Sequence, residues 1–181
     1  VTAKEIAGDS LRAELSAVLS ERDQLVEDRF HKLVKRCEII DIDKPVTLTE
    51  FFTIVAGKLA DRLHTDPNQL LDSLIARERE TTTVIRPGLA IPHITIDGEH
   101  KFELIIARCD AGIIFAETCA PVYAAFILVG SRDERNFHLR TLSAIAQVAH
   151  AENFDRDWLR ARNIEELRDI VLLAERRREK A

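Results

Sequence analysis

One of the six histidines in this 181-residue sequence follows a proline at the end of a short apolar run. In the stretch GLAIPHITIDG, residues 88–98, His93 comes directly after Pro92. A neutral imidazole has a free lone pair at physiological pH, so it can accept a phosphoryl group on nitrogen. The phosphoramidate that forms is labile, which suits a carrier better than a permanent modification. His93 is therefore the first candidate for chemistry in this chain.

A histidine that carries phosphate needs support from its surroundings. Its ring must be held in one tautomer, a second polar group must hold the developing phosphate, and a cation must offset the charge. Pro92 fixes the direction of the chain at the end of the strand, and Gly88 permits a close turn before it. Taken alone, a histidine after an apolar strand is more typical of a structural residue, so the neighbours decide the interpretation.

Several common kinds of active site have no signature in this sequence. It contains no GxxxxGKS/T phosphate loop, no GxGxxG fingerprint, no HExxH and no GxSxG. Cys37, Cys109 and Cys119 form neither a CxxC pair nor a regular disulfide pattern, which indicates reduced thiols in the cytosol. Because Cys109 and Cys119 fall in predicted strands, a structural zinc site is not expected. We predict no cofactor and no metal.

The composition limits the kinds of partner. The formal net charge of −5 and the pI of about 5.7 give no general attraction to nucleic acid. No apolar run approaches the roughly 20 residues that span a bilayer. We expect a cytoplasmic location, either as a free protein or as the soluble domain of a membrane protein, and no nucleic-acid partner.

The first helices are indicated by periodicity and by capping residues. Apolar residues recur every three or four positions over residues 10–37, which predicts an amphipathic helix. Thr47 or Thr49 could cap a second helix. Asp66 followed by Pro67 predicts the start of a third, PNQLLDSLIARERE, because proline is favoured at the first helical position. A run of three threonines then ends that helix.

Strands are predicted for the middle of the chain. We expect short strands on each side of residues 86–88. Two longer apolar runs follow, KFELIIARCDAGIIF and APVYAAFILVG, and the second is so continuous that both of its faces should be buried. Polar breaks divide the last third into two or three helices, and the basic tail from Glu175 is expected to be a solvated, fraying helix end. Helices around a central group of strands predict an α/β fold.

The order of these motifs resembles a known family, the type-2 enzyme IIA domain of bacterial phosphoenolpyruvate-dependent phosphotransferase systems. This is the fructose/mannitol class, which includes a nitrogen-regulatory branch. In that family an Arg-Glu pair ends a helix, a Thr-Gly-rich turn follows, a strand reads Ile-Ala-Ile-Pro-His, and a second histidine begins a His-Leu-x-x-Leu helix. The matching positions here are Arg77, Glu78, Thr83, Gly88, Ala90 to His93, His138 and Leu139.

The resemblance implies a fold and a division of the chain. The expected fold is α/β, with a central mixed β-sheet flanked by helices. We assign residues 37–181 to the enzyme IIA-like domain and residues 1–36 to an N-terminal amphipathic helical extension or linker. Residues 10–37 could also form a homodimer, or connect the domain to a membrane part.

The resemblance also implies roles for three side chains. His93 would accept a phosphoryl group from the histidine-containing phosphocarrier protein and pass it to a downstream transport component, or use it as a regulatory state for a transporter. His138 would hydrogen-bond the ring or the phosphate, and Arg77 would offset the phosphate charge. Structural roles stay open for the last two, since His138 could make a local helix contact and Arg77 a surface salt bridge.

Departures from the family pattern favour an alternative function. The glycine-rich turn reads TVIRPG here, so two of its glycines are replaced by larger residues, and Ile94 follows the active histidine where glycine is common. Arg86 could supply charge in place of the lost backbone donors. The alternative is a non-catalytic regulatory or partner-binding module of the same fold, such as the cytoplasmic domain of a membrane transporter.

Overall fold

A seven-stranded sheet between two layers of helices forms the centre of the protein in a computed structural model, which describes residues 12–15 and 27–179. The helices are α1 (Arg29–Arg36), α2 (Leu48–Leu63), α3 (Pro67–Glu80), α4 (Arg135–His150), α5 (Phe154–Arg160) and α6 (Ile164–Leu172). The strands are β1 (Glu38–Ile42), β2 (Val46–Thr47), β3 (Val84–Arg86), β4 (Leu89–Ala90), β5 (His93–Ile96), β6 (Phe102–Ile114) and β7 (Val122–Ser131). A short 3₁₀ turn, Arg132–Glu134, precedes α4.

Helices α2 and α3 begin at caps that the sequence indicates. Thr47, rather than Thr49, caps α2, and its hydroxyl accepts from the backbone N–H of Glu50 while the Glu50 carboxylate accepts from the N–H of Thr47. Asp66 caps α3 and Pro67 is its first residue, as predicted. Such caps satisfy backbone N–H groups that have no partner within the helix.

The sheet is mixed, which confirms the expected fold class. Its order is β1-β6-β7-β4-β3, with β2 also paired to β6 and β5 to β7. The long strands β6 and β7 are antiparallel to each other, and so are β3 and β4. Strands β1 and β2 run parallel to β6, and strands β4 and β5 run parallel to β7. Every residue of β7 except Tyr123 is buried, so the prediction of two covered faces for this strand is confirmed.

Alternate residues of β6 enter two separate cores, one on each face of the sheet. Leu104 and Ile106 pack in the core under α1, α4, α5 and α6. Ile105 and Ala107 pack in the core under α2 and α3. The period-two alternation of a strand therefore places the two layers of helices on opposite faces.

Strands β4 and β5 are one line of chain with a proline between them. Leu89 pairs with Ala124 and His93 with Leu128, so the register against β7 is the same before and after Pro92. Pro92 has no N–H to donate, but its carbonyl accepts from the N–H of Leu128 at 2.9 Å. His93 therefore begins β5 on a backbone that is fixed to the central strand.

Helix α1 shares the core with the rest of the domain. Phe30, Leu33 and Val34 are buried in the same cluster as α4, α5 and α6. Of the predicted extension, residues 12–15 form a helical turn, and residues 10, 11 and 16–26 of the predicted 10–37 helix lie outside the described residues. The boundary at residue 37 and a homodimer through 10–37 stay predictions.

The basic tail is not a solvated helix end, contrary to expectation. Residues 175–179 are non-helical and lie against α1. Both terminal nitrogens of Arg176 lie 2.7 Å from the carboxylate of Asp28, the N-cap of α1, and both side chains are almost fully buried. The sequence pattern misled because a buried partner 148 residues away leaves no local signal.

Two smaller observations complete the fold. Cys119 lies in an exposed turn between β6 and β7, so its prediction as a strand residue is wrong, whereas Cys109 is in β6. None of the helices in the described ranges combines the length and the apolar character that crossing a membrane requires.

Candidate functional site

Three elements from different parts of the fold bring His93, Arg77 and His138 together. His93 is the first residue of β5, which pairs only with β7 among the described strands. Arg77 lies in the last turn of α3 on one face of the sheet, and His138 lies in the first turn of α4 on the other. Nη2 of Arg77 is 3.3 Å from Nε2 of His93, and the two imidazole centroids are 5.7 Å apart.

The tautomer of His93 follows from its backbone contact. Nδ1 lies 2.7 Å from the carbonyl oxygen of Ile91. A carbonyl can only accept, so Nδ1 carries the hydrogen and Nε2 keeps its lone pair. The half-buried ring therefore presents Nε2 as its nucleophilic atom, on the side where Arg77 lies.

The guanidinium of Arg77 is held at two points. Nη1 donates to the carbonyl of Thr81 at 2.9 Å, and Nη2 reaches His93. A planar guanidinium cannot lose its proton under ordinary conditions, so this site has a permanent cation beside the nucleophile.

Glu78 holds the loop that follows α3. Its two carboxylate oxygens each lie 3.0 Å from the backbone N–H of Thr83, and they also accept from the hydroxyls of Thr82 and Thr83. The sequence comparison placed Glu78 in the Arg-Glu pair but assigned it no role. A carboxylate at the end of a helix, followed by three threonines, was the available signal.

His138 is half-buried between two rings. It contacts His93 on one side and the edge of Phe102, at 5.7 Å between centroids, on the other. Burial lowers the pKa of His138, and repulsion from His93, when that ring is protonated, lowers it further. A neutral His138 at pH 7 has one ring N–H to donate and one nitrogen that accepts.

Gly130 makes room for this pair of rings, and sequence reasoning missed it. A Cβ at this position would come within 2.8 Å of the Phe102 ring and 3.5 Å of Nδ1 of His138. Gly130 interrupts an otherwise bulky strand, and glycine within a strand commonly marks close approach by another group. That glycine was the missed signal.

Arg86 does not contact the site. Its guanidinium forms two hydrogen bonds with Asp155, at 2.9 and 2.8 Å, and a third with the carbonyl of Ala149. The expectation that Arg86 supplies charge beside His93 is therefore wrong. Gly88, the glycine that is retained in the turn, has a positive φ of 86°, which disfavours other residues there.

One further cluster has the residue types that bind cations. His100, Asp133 and Glu134 place ligand atoms within 4.8 Å of one another. Glu134 is already bonded to Arg29 at 2.8 Å, and Asp133 accepts from Ser131 and from the backbone of His100. This cluster is held together by protein partners and is not part of the His93 site.

Comparison with known proteins agrees with the fold and identifies a family. Residues 34–173 match the family described as "Phosphoenolpyruvate-dependent sugar phosphotransferase system, EIIA 2". This chain belongs to that family. The resemblance noted from the sequence is therefore confirmed, and the type-2 EIIA domain accounts for most of the described residues.

Individual relatives of this EIIA domain come from both sugar transport and nitrogen regulation. The "PTS system fructose-specific EIIA component" of Haloferax volcanii is 28% identical over 142 residues, covering 74% of this chain and 89% of that protein. The crystal structure of nitrogen regulatory protein IIA-Ntr from Neisseria meningitidis has a TM-score of 0.68 and 22% identity, covering 78% of this chain and 97% of that one. Escherichia coli enzyme IIA mannitol, in a complex with phosphorylated enzyme IIB mannitol, has a TM-score of 0.62 and 14% identity, covering 74% of this chain and 93% of that one.

The geometry of this EIIA domain is suited to nucleophilic chemistry at a nitrogen atom. The site combines an imidazole with one free lone pair, a permanent cation at 3.3 Å and a second neutral imidazole. The first could attack an electrophile, and the other two could bind an anionic group on the attacked atom.

Proposed function

We propose that this EIIA domain is a phosphocarrier that accepts a phosphoryl group on Nε2 of His93. The observation that carries the proposal is the pair of contacts on the His93 ring, with Nδ1 bonded to the carbonyl of Ile91 and Nε2 directed to Arg77. This arrangement leaves a lone pair on the nitrogen that faces a cation. The family supports phosphoenolpyruvate as the original source of the phosphoryl group.

The donor is the histidine-containing phosphocarrier protein. The lone pair of Nε2 forms a bond to phosphorus while the bond between phosphorus and the donor nitrogen breaks, and that electron pair returns to the donor imidazole. Nδ1 of His93 keeps its proton throughout, so the step needs no general base. The positive charge that the ring gains is stabilised by the carbonyl of Ile91.

Arg77 and His138 bind the phosphoryl oxygens. The guanidinium offsets the negative charge of the group as it is transferred, and the N–H of neutral His138 donates to an oxygen. Because the two side chains come from opposite faces of the sheet, they can contact different oxygens of one phosphoryl group.

Two apolar side chains are exposed on elements that adjoin the site residues. Leu139, which follows His138, and Ile85, in β3, each expose 54% of their surface. The enzyme IIA mannitol complex supports an enzyme IIB-type acceptor, by which the phosphoryl group reaches a transport component or a regulated transporter.

The proposed location of the reaction is the cytoplasm. All three cysteines, Cys37, Cys109 and Cys119, are free thiols, as expected in a reducing compartment.

The test is phosphorylation of the purified protein. It is incubated with phosphoenolpyruvate, enzyme I and the cognate phosphocarrier protein, and its intact mass is compared with that of His93→Ala. We expect a gain of one acid-labile phosphoryl group that is absent from the variant. No gain, with the phosphocarrier itself fully charged, would overturn the proposal and support the regulatory, non-catalytic module instead.

A further inference from the structure

A line of hydrogen bonds connects the carboxylate of Glu78 to the imidazole of His93. Glu78 accepts from the N–H of Thr83, whose carbonyl accepts from the N–H of Ile91 at 2.9 Å. The carbonyl of Ile91 then accepts from Nδ1 of His93 at 2.7 Å. Three successive hydrogen bonds therefore lead from the carboxylate to the imidazole through the main chain of Thr83 and Ile91.

We propose that Glu78 is a positioning residue for the nucleophile, a role that rests on the proposed phosphocarrier function. Glu78 does not touch His93. It fixes the peptide of Thr83, Thr83 fixes the peptide of Ile91, and the carbonyl of Ile91 selects the His93 tautomer whose Nε2 is unprotonated. The link is mechanical: it sets the place and direction of one carbonyl oxygen.

The strength of the first contact makes Glu78 the controlling member of this line. Its two carboxylate oxygens share the N–H of Thr83, at 3.0 Å each, and one of them also accepts from the Thr83 hydroxyl. Bonds to a charged acceptor are stronger than those between neutral groups. Thr83 is buried although Thr81 and Thr82 are exposed, so Glu78 holds the point at which the loop enters the core.

The same loop also holds the cation. Arg77 donates to the carbonyl of Thr81 while it reaches His93, so both contacts of the His93 ring depend on residues 81–83. If the loop shifts, the carbonyl of Ile91 and the guanidinium of Arg77 move relative to the ring. Displacement of about 1 Å in a reacting group can cost on the order of 100-fold in rate.

The experiment uses Glu78→Gln and Thr83→Val, with Glu50→Gln as the matched control. Glutamine keeps one acceptor oxygen but loses the charge and the second acceptor. Valine replaces the hydroxyl of Thr83 with a methyl group and keeps the backbone N–H. Glu50 likewise accepts from a backbone N–H, but its contact is beside β2, which pairs with the opposite end of β6 from the site. Thermal unfolding shows whether each variant is still folded, so that a change at His93 is not mistaken for general loss of structure.

The first readout is the tautomer of His93 in the unphosphorylated protein, measured by ¹⁵N NMR. We expect the Nδ1–H tautomer to dominate in the wild type and in Glu50→Gln. In Glu78→Gln we expect a mixture of the two tautomers, and in Thr83→Val a smaller change in the same direction. This measurement needs no phosphoryl donor, so its result does not depend on whether the proposed function is correct.

The second readout is the rate of phosphorylation by the phosphocarrier protein. We expect Glu78→Gln to slow it about tenfold or more, with Glu50→Gln within about twofold of the wild type. The inference is overturned if Glu78→Gln keeps the wild-type tautomer and rate, or if Glu50→Gln changes both as much. A wild-type protein that shows the Nδ1–H tautomer but accepts no phosphate would overturn only the proposed function.

Discussion

The guanidinium of Arg77 lies 3.3 Å from Nε2 of His93, although the two residues belong to different layers of the fold. Arg77 lies in the last turn of a helix that covers one face of the sheet, and His93 begins a strand within the sheet itself. Because Nδ1 of His93 is bonded to a backbone carbonyl, the cation faces the only nitrogen that can act as a nucleophile.

Removing the charge of Arg77 should slow phosphoryl transfer strongly. Loss of a positioned donor that binds developing charge commonly costs about 10² to 10³ in rate. We therefore expect Arg77→Gln to slow phosphorylation of His93 by about 100-fold, and Arg77→Lys to fall between it and the wild type because lysine keeps the charge but not the fork geometry. Single-turnover phosphorylation measures the rates, and an Arg77→Gln protein as fast as the wild type would contradict this role.

Arg86 offers a nearby arginine whose loss should leave phosphorylation unchanged. Its guanidinium is bonded to Asp155 and Ala149 rather than to His93. We expect Arg86→Gln to phosphorylate within about twofold of the wild-type rate, while the lost surface pair lowers the free energy of unfolding by at most about 1 kcal/mol. If Arg86→Gln instead slowed phosphorylation as much as Arg77→Gln, the effect could not be assigned to the contact between Arg77 and His93.

The titration of His138 should depend on His93. Burial lowers the pKa of His138, and repulsion from a protonated His93 lowers it further, so NMR titration should give a value below the ordinary 6.5 or so. In His93→Gln the pKa of His138 should rise, although burial still holds it down. The contribution to stability from keeping His138 neutral is present above pH about 6.5 and is lost as the pH falls through the lowered pKa. An unchanged pKa in the variant would contradict the coupling of the two rings.

The buried pair of Asp28 and Arg176 should make the fold sensitive to acid. Burial alone would raise the pKa of Asp28, but hydrogen bonds from Arg176 and from the backbone of His31 lower it to about 2 from an ordinary 3.8. A lowered pKa contributes stability above pH 3.8, and that contribution is lost as the pH falls from 3.8 towards 2.

We therefore expect Asp28→Asn to lower the free energy of unfolding by about 2 kcal/mol at pH 7 and to reduce its dependence on pH below 4 or so. Urea unfolding at several pH values measures both effects. If the free energy of unfolding fell equally with pH in the wild type and the variant, carboxylates other than Asp28 would account for the acid sensitivity.

The three cysteines should differ sharply in reactivity. Cys119 is exposed in a turn, whereas burial raises the pKa of Cys37 to about 11 and also raises the pKa of Cys109. Because the thiolate is the reactive form, we expect one fast thiol in the native protein at pH 8 and three after unfolding in denaturant. Cys119→Ser should remove the fast thiol, and two fast thiols in the native wild type would contradict the burial of the others.

The parts of the fold that the sequence predicted are those with local signals. A few neighbouring residues are enough to predict the start of α3 at Asp66-Pro67 and the buried strand β7, because capping and the apolar pattern of a strand are local. The order of motifs also predicted the three site residues, and His93, Arg77 and His138 do lie together in space.

The parts that were missed depend on contacts between distant residues. Nothing near Arg176 indicates that Asp28 will bury its charge, and nothing near Arg86 indicates that Asp155 will bind it. Gly130 was missed for a related reason, because the crowding that excludes a side chain there comes from Phe102 and His138 on other elements.

The contact between α1 and the tail brings residue 179 close to Asp28, the residue before α1. The backbone N–H of Glu179 lies 3.4 Å from the carboxylate of Asp28, so the polypeptide leaves the described core almost where it enters. Anything joined before Asp28 therefore starts close to anything joined after Glu179. Within a longer polypeptide, a domain with this geometry would add little to the distance between the segments that precede and follow it, so it would not separate them as a spacer does.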